Sequence, residues 1–591
     1  MASRNVLSKV LLTSALSLSC FVRAEVRTGN STSGASITFP VPTGTSTSYQ
    51  FTSFNKSYGT HVPQPGYSDE QLAFLWNQVG PVSTGIVTTT VSPTAEASVL
   101  PNPGGSMHPY VPSYEANLSN YQLPEFFRWG VASSSYQIEG AADAEGKGPN
   151  VVAQHYYLYK QDFARIKALG IQSFSPSISW PRIFPFGNGP VNEAGVQHYD
   201  DVIAELIDNG IRPVVTLFHW DMPLALFNEY GAWNDRRIVD DFFEYATFVI
   251  QRYDEYVDTW FTINEPQYCN WQFSQYPAGE YYPQYDNVQR GIQSRFLCGH
   301  YTLLAHAKVA KWYHEEFKGR GRITFKNSGN YIQANDSSSN QDKLATQRQN
   351  DFSLGWFNHG PWFDGDYPQT LKDTLGSLLP NLTQDEKDMI KGSCDFFAID
   401  GYTAFYAFGT DDFEACISDP SHGGFPECSG VTSEDPDGFP IGPSSASGFY
   451  STPVGIRRYL SVITKELFPS VPDIMVSEFG YAEPQEGQLS SLDPILWDLR
   501  RADYFQSYLD NILAAIAYDG VNVTGIFGWA IFDNFEWGSG TSVRFGLQYV
   551  NYTDLTRTPK ASMFTFLRWF SDHGALVSAN QTVDTSYRVK V

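Results

Sequence analysis

Eight short apolar runs, each closed by polar or aromatic residues, constrain the fold of this chain more than any other feature. They are Arg128–Gln137, Ser173–Trp180, Arg212–Trp220, Trp260–Glu265, Arg322–Asn327, Phe396–Tyr402, Ile474–Glu478 and Gly525–Trp529. Stretches of helical period lie between them, at Tyr159–Leu169, Gly195–Asn209, Ile238–Tyr253, Arg295–Lys318, Gln384–Lys391, Pro453–Leu467 and Arg500–Asp519. Continuous apolar runs are the mark of strands covered on both faces, and parallel strands need a crossover helix between them. Eight such units predict an α/β fold, a (β/α)8 TIM barrel, ending in a helix at Ala561–Ser571.

In such a barrel the C-terminal strand ends carry the chemistry. The fourth run, Trp260-Phe-Thr-Ile-Asn-Glu-Pro266, stops at a proline that cannot donate to a sheet ladder. Glu265 therefore projects from a strand end. Alone it would serve equally well as an ion-pair partner. The seventh run, Asp473-Ile-Met-Val-Ser-Glu-Phe-Gly480, places Glu478 in the same way. Two carboxylates at two strand ends are what glycosidic bond cleavage requires.

The other strand ends supply candidate sugar ligands. Gln137 offers an amide to two adjacent hydroxyls, although a local turn would use it as readily. His219 and Trp220 pair a hydrogen-bonding ring with an apolar one, where a lone histidine would usually be structural. Asn327 closes the fifth run, and the Tyr402 hydroxyl is placed to hold Glu478. Trp529, Glu536 and Trp537 put an acid and two tryptophans within nine residues. A single buried tryptophan is more often core, but this grouping favours a carbohydrate platform.

The rest of the chain bounds the setting. Residues 1–24 have Arg4 and Lys9, an apolar Val10 to Val22 and Val22-Arg-Ala24, as in a cleaved secretory signal. The apolar run is too short to span a bilayer, and no membrane association is expected. Eight Asn-X-Ser/Thr sequons, at Asn30, Asn55, Asn117, Asn335, Asn381, Asn522, Asn551 and Asn580, agree with export and glycosylation. Residues 25–122 are rich in Ser, Thr, Pro and Gly and read as an extension without chemistry, 123–573 as the barrel, and 574–591 as a tail. A formal charge of −24 sets nucleic acid aside as a partner. Cys416–Cys428 is the first disulfide expected and Cys269–Cys298 the second, leaving Cys394 free and buried. No cysteine or histidine spacing suggests a metal.

Five motifs give these strand ends a family likeness. They are Tyr136–Gly140 (Tyr-Gln-Ile-Glu-Gly), Thr216–Asp221 (Thr-Leu-Phe-His-Trp-Asp), Thr262–Pro266 (Thr-Ile-Asn-Glu-Pro), Asp533–Trp537 (Asp-Asn-Phe-Glu-Trp) and Arg544–Leu547 (Arg-Phe-Gly-Leu). From Pro124 to Lys560 the chain resembles the β-glucosidases of glycoside hydrolase family 1, of the fungal secreted kind. The resemblance implies Glu265 as acid/base and Glu478 as nucleophile. It implies Gln137, His219, Asn264, Tyr402, Trp529, Glu536 and Trp537 as the glucose subsite. It also implies retention of configuration, no cofactor, and β-glucosides or short β-linked oligosaccharides as substrates. Glu536, kept where the family's phosphoglycosidases replace it, implies an unphosphorylated sugar through its charge.

Three departures qualify the likeness. The family's second-strand Tyr-Arg-Phe-Ser is Phe174-Ser175-Pro176-Ser177, so Ser175 stands where an arginine supports the nucleophile. Loss of that cation should make Glu478 easier to protonate unless another group compensates. The usual Thr-Glu-Asn-Gly is Ser477-Glu-Phe-Gly480, and Asp400 replaces an asparagine. The segment after Gly148-Pro-Asn150 is about twenty residues short of the family's loop at the site mouth. A transglycosidase, or a weakly catalytic sugar-binding protein of the cell wall, stays open on the same scaffold.

Overall fold

The computed structural model describes residues 105–108, 118–140, 152–272 and 291–575. Its centre is a ring of parallel strands: β1 Arg128–Ala132, β2 Ser173–Ser175, β3 Arg212–Pro213 continuing as Val215–Phe218, β4 Thr259–Asn264, β5 Arg322–Ser328, β6 Phe397–Asp400, β7 Ile474–Phe479 and β8 Val523–Trp529. The hydrogen-bonded order is β3-β2-β1-β8-β7-β6-β5-β4, and β4 pairs back onto the second piece of β3. Pro213 has no amide hydrogen to give, which is why β3 comes in two pieces. A bridge from Ser177 to Thr216 helps to close the ring.

The helices outside the ring are α1 His155–Ala168, α2 Glu193–Asp208, α3 Arg237–Tyr253, α4 Ile292–Trp312, α5 Gln384–Ile390, α6 Pro453–Val462, α7 Leu499–Ala517 and α8 Ala561–Asp572. α3 shows why they form. Ile238, Phe242, Tyr245, Val249 and Tyr253 recur at helical spacing and are all buried. Each large apolar side chain covered this way contributes about 1.5–3 kcal/mol. Phe242→Asp would break that stripe.

Two apolar layers result. Ile323 and Phe325 of β5 join the outer core between strands and helices. Phe261, Ala398, Met475 and Phe527 fill the barrel interior. The interior layer is the floor of the site.

All eight expected strands form, with shifted ends. β1 stops at Ala132 because Ser135–Ile138 turns helical, and β2 stops before Pro176. Two helical stretches end in single π turns, Tyr313–Phe317 after α4 and Ile463–Leu467 after α6. Between β5 and β6 lie further helices, Asn340–Asn350 and Gln369–Leu375 among them, that the sequence reading did not contain.

The barrel unit also begins earlier than residue 123. Leu118 is buried in the outer core, and the backbone of Leu123 donates to His573 at the end of α8. Ser106 and Met107 of the extension bond to Pro440 and Ile441, and Met107 is buried. The expected secretory signal and the loop expected to be short at 148–150 lie outside the described residues. Both expected disulfides are present, Cys269–Cys298 and Cys416–Cys428, and Cys394 is free and buried.

Candidate active site

Glu265 and Glu478 leave their strands at irregular points. The β4–β5 register shifts between Phe261 and Asn264, and the β7–β8 register shifts between Val476 and Phe479. Such bulges re-aim a side chain that a regular ladder would hold elsewhere. Glu265 also takes a positive φ of 43°, held by its amide, which donates to the Lys326 carbonyl at 3.0 Å, and by Pro266. Backbone strain of this kind needs a surrounding structure that enforces it.

The two carboxylates meet a third. One carboxylate oxygen from each of Glu265, Asp400 and Glu478 lies within 4.8 Å of the other two. Glu478 is 3% exposed and receives two donors: Lys326 Nζ at 2.7 Å on Oε1 and the Tyr402 hydroxyl at 2.9 Å on Oε2. Lys326 is as deeply buried and lies over the Phe261 ring. Burial alone would lower its ammonium pKa, but Glu478 and Asp400 outweigh that and raise it.

Lys326 was missed by the sequence reading. It supplies the compensating cation that the loss of arginine at Ser175 called for, from the far side of the ring. Ser175 itself is buried, and its hydroxyl has no partner. Burial, then the charges of Asp400 and Glu478, hold the Glu265 carboxyl well above the usual range.

The other predicted residues surround this centre. Trp529 stacks on His219 with ring centroids 5.7 Å apart, and Trp537 stacks on Tyr136 at 5.6 Å. The Trp220 indole donates to the Asn264 carbonyl at 2.8 Å and packs on Trp537. Burial, then Lys326, keep the His219 pKa well below its ordinary value, so the ring is neutral. The Gln137 amide donates to the Phe535 carbonyl at 2.9 Å and accepts from Ser134, tying β1 to the loop after β8. Asn327 is engaged by Asn358 and the Ala398 carbonyl, so its amide braces strand ends.

Several buried polar atoms here have no partner: His219 Nδ1, Asn264 Oδ1, Asp400 Oδ2 and Glu536 Oε2. Buried polar groups are otherwise almost always satisfied, so this grouping is complementary to a polar ligand. Glu536 is pushed up to about 8 by burial and then by Glu478.

Behind the loop that carries Glu536 sits a buried ion cluster that the sequence reading also missed. Asp533 accepts from Lys560 Nζ at 2.8 Å and from Arg544 at 2.8 Å. Lys560 also bridges to Glu486, which pairs with Arg501. The signal was the Asp-Asn-Phe-Glu-Trp motif, but its partners are distant in sequence.

The profile of Glycosyl hydrolase family 1 matches residues 119–153 and 149–575. The chain belongs to that family. The two matched stretches overlap at residues 149–153, between β1 and α1. Beta-glucosidase 42 of Arabidopsis thaliana is 36% identical over 472 residues, covering 76% of this chain and 94% of the relative. Beta-glucosidase 1B of Phanerodontia chrysosporium is 35% identical over 487 residues, covering 76% and 86%. Among solved structures, beta-glucosidase 2 from the fungus Trichoderma reesei, in complex with Tris, superposes with a TM-score of 0.70. It is 32% identical, with 77% of this chain and 100% of that one covered. A mutant rice β-glucosidase in a covalent complex with glucose also gives 0.70, at 31% identity, covering 77% of this chain and 99% of the rice protein.

Proposed function

We infer that this family 1 protein is a retaining β-glucosidase that releases terminal β-D-glucosyl residues, with Glu478 as nucleophile and Glu265 as acid/base. The observation that carries the reading is the separation of the two carboxylates. Their nearest oxygens lie within 4.8 Å of each other, close to the roughly 5–5.5 Å of retaining enzymes and well short of the roughly 6.5–9.5 Å that leaves room for an inverting water. The β-glucosidase names of the relatives, and the rice enzyme held covalently to glucose, support the same class.

The steps follow from the contacts. Lys326 and Tyr402 stabilise the negative charge of Glu478, whose oxygen attacks the anomeric carbon. The C–O bond to the aglycone breaks as Glu265 gives its proton to the leaving oxygen. The ester intermediate is then opened by water, whose proton passes to ionised Glu265. Asn264, with its unpartnered side-chain Oδ1, is placed to bond the sugar's 2-hydroxyl, and His219, Glu536 and Trp529 to hold the outer face. Secretion of a fungal-type glycoprotein, and short β-linked oligosaccharides as natural substrates, are part of this proposal. The signal-like residues 1–24 and the sequons support it.

The test is release of the aryl group from an aryl β-D-glucoside. Glu478→Ala should lose roughly four orders of magnitude or more in rate. Glu265→Ala should lose about 10²–10⁴-fold and recover with azide, giving the β-glucosyl azide. A folded wild type that binds glucose without turning over the aryl glucoside would sink the reading.

A further inference from the structure

Asp400 is the acid that the glucosidase reading leaves unused. It ends β6 opposite Glu478 on β7 and Ser328 on β5. It is 1% exposed. Its Oδ1 accepts from the Ser477 hydroxyl at 2.6 Å, while Oδ2 has no hydrogen-bond donor. That bare oxygen belongs to the cluster in which Glu265, Asp400 and Glu478 converge within 4.8 Å.

Three carboxylates this close, Asp400 and Glu478 buried and Glu265 half-buried, cannot all be ionised beside one ammonium. The donors decide which of them carries the charge. Glu478 has Lys326 and Tyr402 on its two oxygens, and both favour the anion. Asp400 has one hydroxyl, from Ser477, and shares a side-chain hydrogen bond with Glu265. A protonated Glu265 is the group able to bond to Asp400. The other charged or titratable groups facing Asp400 are Lys326 from β5, Glu478 from β7 and Tyr402 from the loop just after β6. Glu536, in the loop after β8, acts on Glu478.

We propose that Glu265 and Asp400 hold one proton between them, so that the acid/base of this site is a carboxyl–carboxylate pair with Asp400 as its positioning residue. The inference rests on the glucosidase reading only for its kinetic consequence. Burial and the charge of Glu478 push the carboxyl of Asp400 well above its usual range, against the pull of Lys326, in agreement with a shared proton.

Charge balances through the cycle. Before reaction the pair carries −1, Glu478 −1 and Lys326 +1. In the first step Glu478 becomes an uncharged ester and the pair gives its single proton to the leaving oxygen. The pair then carries −2, facing the ammonium that the ester has released from its ion pair. In a site with one acid/base glutamate, ester formation removes the only neighbouring negative charge. Here the charge of Asp400 persists, and Glu265 stays a strong base for the water step. When the water proton returns to the pair and the ester opens, the starting charges are restored.

The test is the pH profile of kcat/KM on an aryl β-glucoside for the wild type and Asp400→Asn. The asparagine variant should move the alkaline limb to lower pH by about one unit or more, because removing a like charge makes Glu265 a stronger acid. An Asp400 that only braces the strand would lower the rate at every pH and leave the limb in place, which overturns the proposal. Carboxyl ¹³C NMR of the wild type, assigned with Glu265→Gln, gives a reading without turnover. Glu265 and Asp400 signals that titrate together in two coupled steps support the pair. Asp400 ionising in one step, with no response where Glu265 titrates, overturns it. A wild type that does not cleave the glucoside would break the functional reading, and the NMR result would still decide the pair.

Discussion

The two sides of the barrel mouth do similar work with different degrees of freedom. On one side, the ends of β1 and β3 and the loop after β8 carry Gln137, His219, Glu536 and Trp537, each in its family motif. These side chains are locked to one another: Gln137 bonds to the Phe535 carbonyl, and Trp220 packs on Trp537. On the other side, β5 and β6 carry Lys326 and Asp400 around Glu478, while Ser175 on β2 stands where the family's arginine would be. Ser175 and Asp400 both depart from the family pattern. A sugar's hydroxyls must be met from fixed directions, whereas a negative charge needs only a cation nearby. In a closed barrel several strands reach the same carboxylate, so its counter-ion can enter from β5 instead of β2.

The sharpest way to break this comparison is Lys326→Met. It leaves Glu478 buried without its ion-pair partner, a loss that costs about 3–5 kcal/mol when one half of a buried pair is removed. kcat/KM should fall about 10²–10³-fold, with the acid limb of its pH profile moved to higher pH. Adding Ser175→Arg to that variant should recover a large part of the rate and of Tm, if the two positions are interchangeable as sources of charge. A double variant that folds but stays as slow as Lys326→Met would show that the ammonium does more than balance charge.

On the sugar-gripping side, Lys560→Met tests whether the rigid loop depends on the ions behind it. Lys560 is fully buried between Glu486 and Asp533. Its loss should lower stability by about 3 kcal/mol or more and raise KM about tenfold, with a smaller change in kcat. A lower Tm with KM unchanged would mean that Trp537 and Glu536 are held by packing alone.

Much of this was legible in the sequence, and the gaps have physical causes. The eight strands announce themselves because both faces of each are covered. Asn340–Asn350 gives no such signal, since its sequence NQDKLATQRQN has no apolar stripe. Glu265 and Glu478 stand out at strand ends beside Pro266 and Gly480. Lys326 does not, because alternation in Ile323-Thr-Phe-Lys326 reads as a strand with a solvent face. Ring closure turns that face inward, where Ile323 and Phe325 pack outward and Lys326 reaches Glu478. Arg501 and Lys560 were invisible for another reason: their partners Glu486 and Asp533 are brought to them only by the fold.

The smallest effect expected is thermodynamic and sits where the two sides touch, at Glu536. Burial first, then the charge of Glu478, lift its pKa from 4.5 to about 8. The folded state therefore keeps a proton that the unfolded chain gives up between those values. The stability from that neutral carboxyl is complete below the unfolded pKa and is lost as pH rises through about 8. Glutamine cannot titrate, so Glu536→Gln should gain in Tm relative to the wild type as pH is raised across this window. Glu478→Gln added to Glu536→Gln and to the wild type should make that gain smaller, since it removes the second cause of the raised pKa. A Tm difference that stays constant with pH would show that Glu536 is ionised in the folded protein and that the charge on one side of the mouth does not reach the other.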